Sequence, residues 1–170
     1  MAVAFLTVTG SSLRDPAMDD WQVAARELRS RNVNLLIVKK GLVLYESSDP
    51  GIGGVLKAIE DLGDELYGST LADKIVGRAV AMLCLYCRVR YVYAISMTEG
   101  AHQLLTERGI PHTSETYIQR LMNRRGTDLC PFEMAIREIR DPEEAFNVLK
   151  KFSAELRVRR PTDSGLSIQD

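Results

Sequence analysis

The chain has 170 residues, 45% of them apolar, and a formal net charge of −1. It can bury one ordinary core, and it lacks the charge that would draw nucleic acid or an anionic membrane surface. Three cysteines argue against a disulfide framework, and the apolar opening Ala2–Val8 is too short to span a bilayer and has no basic leader. A cytoplasmic protein is expected, with no membrane partner and no specific nucleic acid. The basic clusters Arg120/Arg124/Arg125 and Arg157/Arg159/Arg160 read as solvated helix ends and tail.

Residues 1–19 read as an N-terminal extension. A helix over Trp21–Ser30, capped by Asp19 or Asp20, would turn Trp21, Ala24, Ala25 and Leu28 inward. Val33–Val38 reads as a strand, Lys39-Lys40-Gly41 as a hairpin turn, and Leu42–Glu46 as the returning strand. Ser47-Ser48-Asp49-Pro50 reads as a helix start with Pro50 in the first turn, and Ile52, Val55, Ile59 and Leu62 as its buried face. After a connection over 63–69, the spacing predicts one buried helix from Thr70 to Cys84. Thr70 and Asp73 would form its capping box, and Leu71, Ile75, Ala79 and Leu83 its apolar stripe.

Tyr91–Met97 is rich in branched and aromatic residues and reads as a strand. Glu99–Arg108 reads as a helix ended by Gly109, Ile110–Ser114 as a short strand and Glu115–Met122 as a helix. Asn123–Thr127 is a loop, and Pro131–Ile139 and Pro142–Leu156 close the domain as helices, the second capped by Asp141. This bounds one domain at 20–156, with 157–170 as a flexible polar tail. Helices between the later strands imply parallel crossovers, hence an α/β fold: a three-layer α/β/α sandwich on a mixed sheet. Ligands in such sheets sit at the carboxyl ends of strands. That places the loop after Glu46, the turn after Met97 and the start of the Thr70 helix around one cleft.

The strings Leu71-Ala72-Asp73-Lys74-Ile75-Val76-Gly77-Arg78-Ala79 and Asn123-Arg124-Arg125-Gly126-Thr127-Asp128-Leu129-Cys130-Pro131-Phe132-Glu133, in this order, resemble the cytidine-deaminase-like superfamily. More closely they resemble a bacterial family of unknown function within it, over roughly residues 20–150. The resemblance implies zinc ligands at His-x-Glu (or Cys-x-Glu) starting one helix and at Pro-Cys-x-x-Cys starting the next. Here Leu71 takes the first ligand's place, Asp73 that of the proton-moving glutamate, and Met97-Thr98-Glu99-Gly100-Ala101 that of the second motif. A catalytic zinc needs about three protein ligands, so zinc-dependent deamination is not expected and neither metal nor cofactor is assigned.

The turn Asp49-Pro50-Gly51-Ile52-Gly53-Gly54 has glycines at Gly51, Gly53 and Gly54 whose amides can approach an anion, although turn geometry explains them as well. Lys74 and Arg124 would supply charge, and Asp73 a ribose or base contact. Thr98, Glu99, Asn123 and Thr127 complete the candidate ligand-binding set. Cys84 and Cys87 read as packing residues, and His102 and His112 as surface or half-buried ones. The expected function is binding of a nucleotide or nucleotide-derived small molecule by a non-zinc protein that forms a homo-oligomer. One alternative is a metal-independent transferase or hydrolase using Asp73, Glu99 or Cys130, with Asp73 the best catalytic candidate. The other is a structural or regulatory oligomerising protein.

Overall fold

The fold starts from a helix and a hairpin. In the computed structural model, which describes residues 16–159, helix α1 (Pro16–Ser30) buries Ala24, Ala25 and Leu28. The hairpin is β1 (Leu35–Lys39) with β2 (Leu42–Ser47), and both turn residues have positive φ, 54° at Lys40 and 77° at Gly41. Such a turn matches the right-handed twist of the two strands. Asp20, expected to cap α1, lies inside that helix and is buried. Its carboxylate accepts from the backbone N–H of Lys40 (2.9 Å) and Gly41 (2.6 Å), so it fastens the helix to the turn.

The remaining elements are α2 (Gly53–Leu62), a 3-10 turn (Gly63–Leu66), β3 (Thr70–Val76), α3 (Arg78–Cys87), β4 (Tyr91–Thr98), α4 (Glu99–Glu107), β5 (His112–Ile118), α5 (Pro131–Ala135) and α6 (Pro142–Arg159). The sheet order is β2-β1-β3-β4-β5. Strand β1 runs antiparallel to both β2 and β3, whereas β3, β4 and β5 are parallel. One face packs Leu36, Val38, Ala72 and Tyr93 against α1. The other packs Leu35, Ile37, Leu71, Val92 and Ala94 under α2, α3 and α4, with α6 laid on α3. This is the expected three-layer α/β sandwich on a mixed sheet.

The largest correction concerns Thr70–Cys84, which is a strand, a break at Gly77 and a helix. Strand β3 is central, so it is apolar on both faces and shows no alternation that would mark it as a strand. Its Leu71 and Ala72 point to opposite layers of the core. A run of that kind mimics helical spacing, and the capping box of Thr70 with Asp73 does not exist. A second correction is Glu115–Met122: residues Glu115–Ile118 continue β5, where Thr116, Tyr117 and Ile118 pair with Ser96, Met97 and Thr98 of β4.

Smaller shifts follow from caps. Pro50 stands outside α2, which starts at Gly53 after Ile52. The helix expected over 131–139 stops at Ala135. Helix α1 starts at Pro16 and α6 runs to Arg159, so the helical body extends beyond the expected 20–156 at both ends. The rest of the expected extension and tail lies outside the described residues. Gly109 follows α4 with φ of 70°, and Asp141 Oδ2 accepts from Glu144 N (2.8 Å) at the start of α6, both as expected. Among the described residues no helix is long and apolar enough to cross a membrane.

The Asp20 contact predicts that Asp20→Ala, which leaves two turn N–H groups without their acceptor, costs about 1–3 kcal/mol in chemical denaturation. An unchanged midpoint would show that the turn closes without it.

Candidate functional site

Three strand-to-helix junctions meet the same edge of the sheet. The parallel strands β3 and β4 end there, and β2, antiparallel to β1, ends there as well. Asn34 ties two of the junctions together. Its backbone N–H donates to Ser47 O (2.8 Å), its side-chain amide donates to Ser48 O (2.9 Å), and its carbonyl accepts from Lys74 N (3.0 Å). The loop after β2 and the last half of β3 are therefore neighbours, whereas Thr70, expected at this edge as a helix start, begins β3 at the opposite end. Asn34 itself was not singled out, because nothing local marks a residue that bonds to a segment forty positions further on.

Within that edge the glycines divide. A Cβ at Gly54 would sit 2.9 Å from Ser47 Oγ and 3.2 Å from Leu35, so close packing explains this glycine. Gly51 has φ of 68° and open space around it, which a turn requires. Gly53 opens α2, where a Cβ would lie 3.7 Å from Arg157 Nη2, ordinary contact.

Asp73 is held inside β3, opposite Leu35 of β1 and Ala94 of β4, and is only 6% exposed. Its Oδ1 accepts from Ile75 N (3.0 Å). Burial raises its pKa from 3.8 to about 7, against smaller lowering by the backbone N–H groups of Ile75 and Lys74. Beneath it lies Cys84, whose thiol burial pushes well above its ordinary value, and burial pushes Cys87 up to about 12. Neither is a thiolate at neutral pH, so neither is a ready nucleophile. Cys84 is a core residue.

The β3–α3 junction holds the group that sequence reading missed. Gly77 precedes α3 with no capping side chain of its own. Glu133, from α5, takes that role: Oε2 accepts from Arg78 N (2.9 Å) and Oε1 from Ala79 N (2.8 Å). Two of the orphan amides of a helix N-terminus are satisfied, and the negative charge lies on the positive end of the helix dipole. Burial raises the pKa of Glu133, and the two backbone donors partly counter it. The only sequence trace was an acid in the first turn after Cys130-Pro131, read as an ordinary helix start.

At the next junction Thr98, 2% exposed, caps α4 by accepting from Ala101 N (3.2 Å), while Glu99 is exposed. Asn123 and Thr127 bond each other: Asn123 Oδ1 accepts from Thr127 N (3.1 Å), which shapes the loop after β5. Arg124 is exposed on that loop, and Cys130 precedes the five-residue α5. His102 and His112 are in contact, with Nδ1 and Nε2 2.8 Å apart, because α4 packs on β5. The clefts of about 590 Å³ beside α1 and about 430 Å³ beside α4 are lined by none of the expected site residues.

The implied zinc can be tested on the donor set. The two helices in question are α3 and α4, so the positions at issue are Gly77, Arg78 and Ala79, and Thr98 to Ala101. Leu71 and Asp73, assigned to the first motif from sequence, lie in mid-strand instead. The junctions offer Glu99 alone, together with Glu133, whose oxygens already serve α3. That set does not fit a catalytic zinc. Among the described residues no group of three or more His, Cys, Asp or Glu side chains could hold a metal ion.

Two outcomes follow from these carboxylates. The folded-state pKa of Asp73 stands above its unfolded value, so the native chain holds the proton more tightly. Stability is then highest below about pH 4 as far as this group is concerned and is lost as pH rises toward about 7. The gap between 3.8 and about 7 caps the loss at about 4 kcal/mol. In thermal melts from pH 5 to 8, Asp73→Asn, whose amide oxygen still accepts from Ile75 N, should flatten the decline, and parallel curves would refute this. A Cβ at position 77 would lie 2.6 Å from Glu133 Oε1. Gly77→Ala should therefore displace the carboxylate and cost about 1–2 kcal/mol, but little in a Glu133→Ala background. Additive costs in a double-mutant cycle would show that the two residues act separately.

A family profile described as TM1506, domain of unknown function (DUF1893), matches residues 23–153. The crystal structure of a DUF1893 family protein (TM1506) from Thermotoga maritima is 27% identical, covering 79% of this chain and 90% of that one, with a TM-score of 0.73. Acinetobacter baumannii RibD is similar at 18% identity over 58% of this chain and 33% of that one, with a TM-score of 0.42, too low to carry an argument. Among curated proteins nothing matches. With the profile spanning more than two thirds of its length, the chain belongs to the DUF1893 family, whose function is unknown.

Proposed function

We propose that this protein is a non-zinc member of the cytidine-deaminase-like superfamily that binds a nucleotide or nucleotide-derived small molecule at the carboxyl edge of β3 and β4. The supporting observation is the Glu133 carboxylate on the α3 N-terminus. A free helix N-terminus attracts an external anion; this one already holds an internal anion. What remains for a ligand is a fixed acceptor. A carboxylate has about four lone-pair sites, and the backbone of α3 takes two. The group that meets Glu133 is thus a donor, such as the amino or imino edge of a base or a ribose hydroxyl. Lys74, half-buried within the last half of β3, supplies positive charge. Asp73 and Thr98 lie beneath the edge and shape it.

The test is thermal-shift titration of the full chain with a panel of nucleosides and nucleotides. A binder raises the melting temperature by mass action, in proportion to the logarithm of its concentration above Kd. At least one should do so saturably, and both Glu133→Gln and Gly77→Ala should weaken it about tenfold or more. A panel that leaves the wild-type melt unchanged rejects the reading.

A further inference from the structure

We propose that the cleft between α3, α4 and the α5–α6 turn is a second binding site, one for a phosphorylated small molecule carrying at least two negative charges. The cleft has a volume of about 430 Å³, within the usual range for small-ligand sites. Arg78, Arg108, Arg137 and Arg140 line it, together with Glu107 and Glu138. Four guanidinium groups against two carboxylates leave two net positive charges, in a chain whose total is −1. Such a concentration of like charge is unfavourable until an anion joins it.

The arrangement is also partly built. Arg78 Nη2 donates to Ile139 O (3.1 Å) and Arg108 Nη2 to Arg140 O (2.8 Å). Two guanidinium groups from different helices are thus fixed to the α5–α6 turn. Each guanidinium has five N–H donors in a planar fork that suits phosphate oxygens. Arg78 Nε is buried and has no hydrogen-bond partner among the described residues, which leaves a desolvated donor unsatisfied. Of the two acids, Glu107 accepts from Gln103 Nε2 (2.9 Å), and Glu138 Oε1 lies 3.7 Å from Nε of Arg137, one of the four arginines, which leaves the two positive charges as the net of the lining.

The cleft does not rest on the edge reading. Arg78 is common to both, but its backbone N–H serves Glu133 while its guanidinium lies in the cleft. Nucleosides, which carry no phosphate, test the edge; inorganic pyrophosphate tests the cleft, so either can fail alone.

The experiment is isothermal titration of the full chain with inorganic pyrophosphate. Saturable binding is expected, weakening as sodium chloride is raised. Arg137→Ala, an exposed residue whose loss should not disturb folding, and Arg108→Ala should each weaken it about tenfold. Arg26→Ala, on α1 across the sheet, should leave it unchanged. No saturable binding at millimolar pyrophosphate overturns the proposal. So does binding indifferent to Arg137→Ala and Arg108→Ala, or equally weakened by Arg26→Ala.

Discussion

The burial of β3 is the constraint on which the rest of the structure depends. It has strands on both edges and helices over both faces, so every backbone group must find a partner and every side chain must suit a dry interior. Its antiparallel edge joins it to the β1–β2 hairpin, and its parallel edge to β4 and β5. The mixed sheet exists because this one strand accepts both kinds of neighbour. One residue resists: Asp73 is a carboxyl group in an apolar layer, raised to a pKa of about 7 by the loss of water. Its Oδ1 accepts from Ile75 N, and β3 runs on in register to Val76, where the β3–α3 junction begins.

Glu133 solves the next problem in line. A helix that starts immediately after a buried strand exposes unpaired amides at the edge of the core. Gly77 cannot cap them with a side chain, and its lack of a Cβ leaves room for a carboxylate that arrives from α5. This long-range cap holds α5 against α3 and sets the chemistry of the edge: a fixed acceptor stands where an open helix would take an anion. The surplus positive charge lies instead in the arginine-lined cleft beside α4.

Much of the fold was legible locally. The hairpin turn at Lys40-Gly41, strand β4, the Gly109 stop after α4 and the Asp141 cap of α6 each carry their signal within a few residues. The site was legible only in outline. Gly51–Gly54 follow β2 and Thr98 ends β4 at one edge of the sheet, but Thr70, expected there as a helix start, begins β3 at the opposite end. The expected roles changed, because packing explains Gly54, capping explains Thr98, and burial removes Asp73 from the surface.

Sequence by itself determined the class of fold and the helices and turns with local caps. Those properties depend on residue type and short spacing. Tertiary structure alone decided that Thr70–Val76 is a strand, that Asn34 bridges two junctions, and that Glu133 closes α3. The physical reason is the same each time. A strand buried on both faces has no amphipathic period, and a carboxylate that caps a helix 55 residues away leaves no mark in its own neighbourhood.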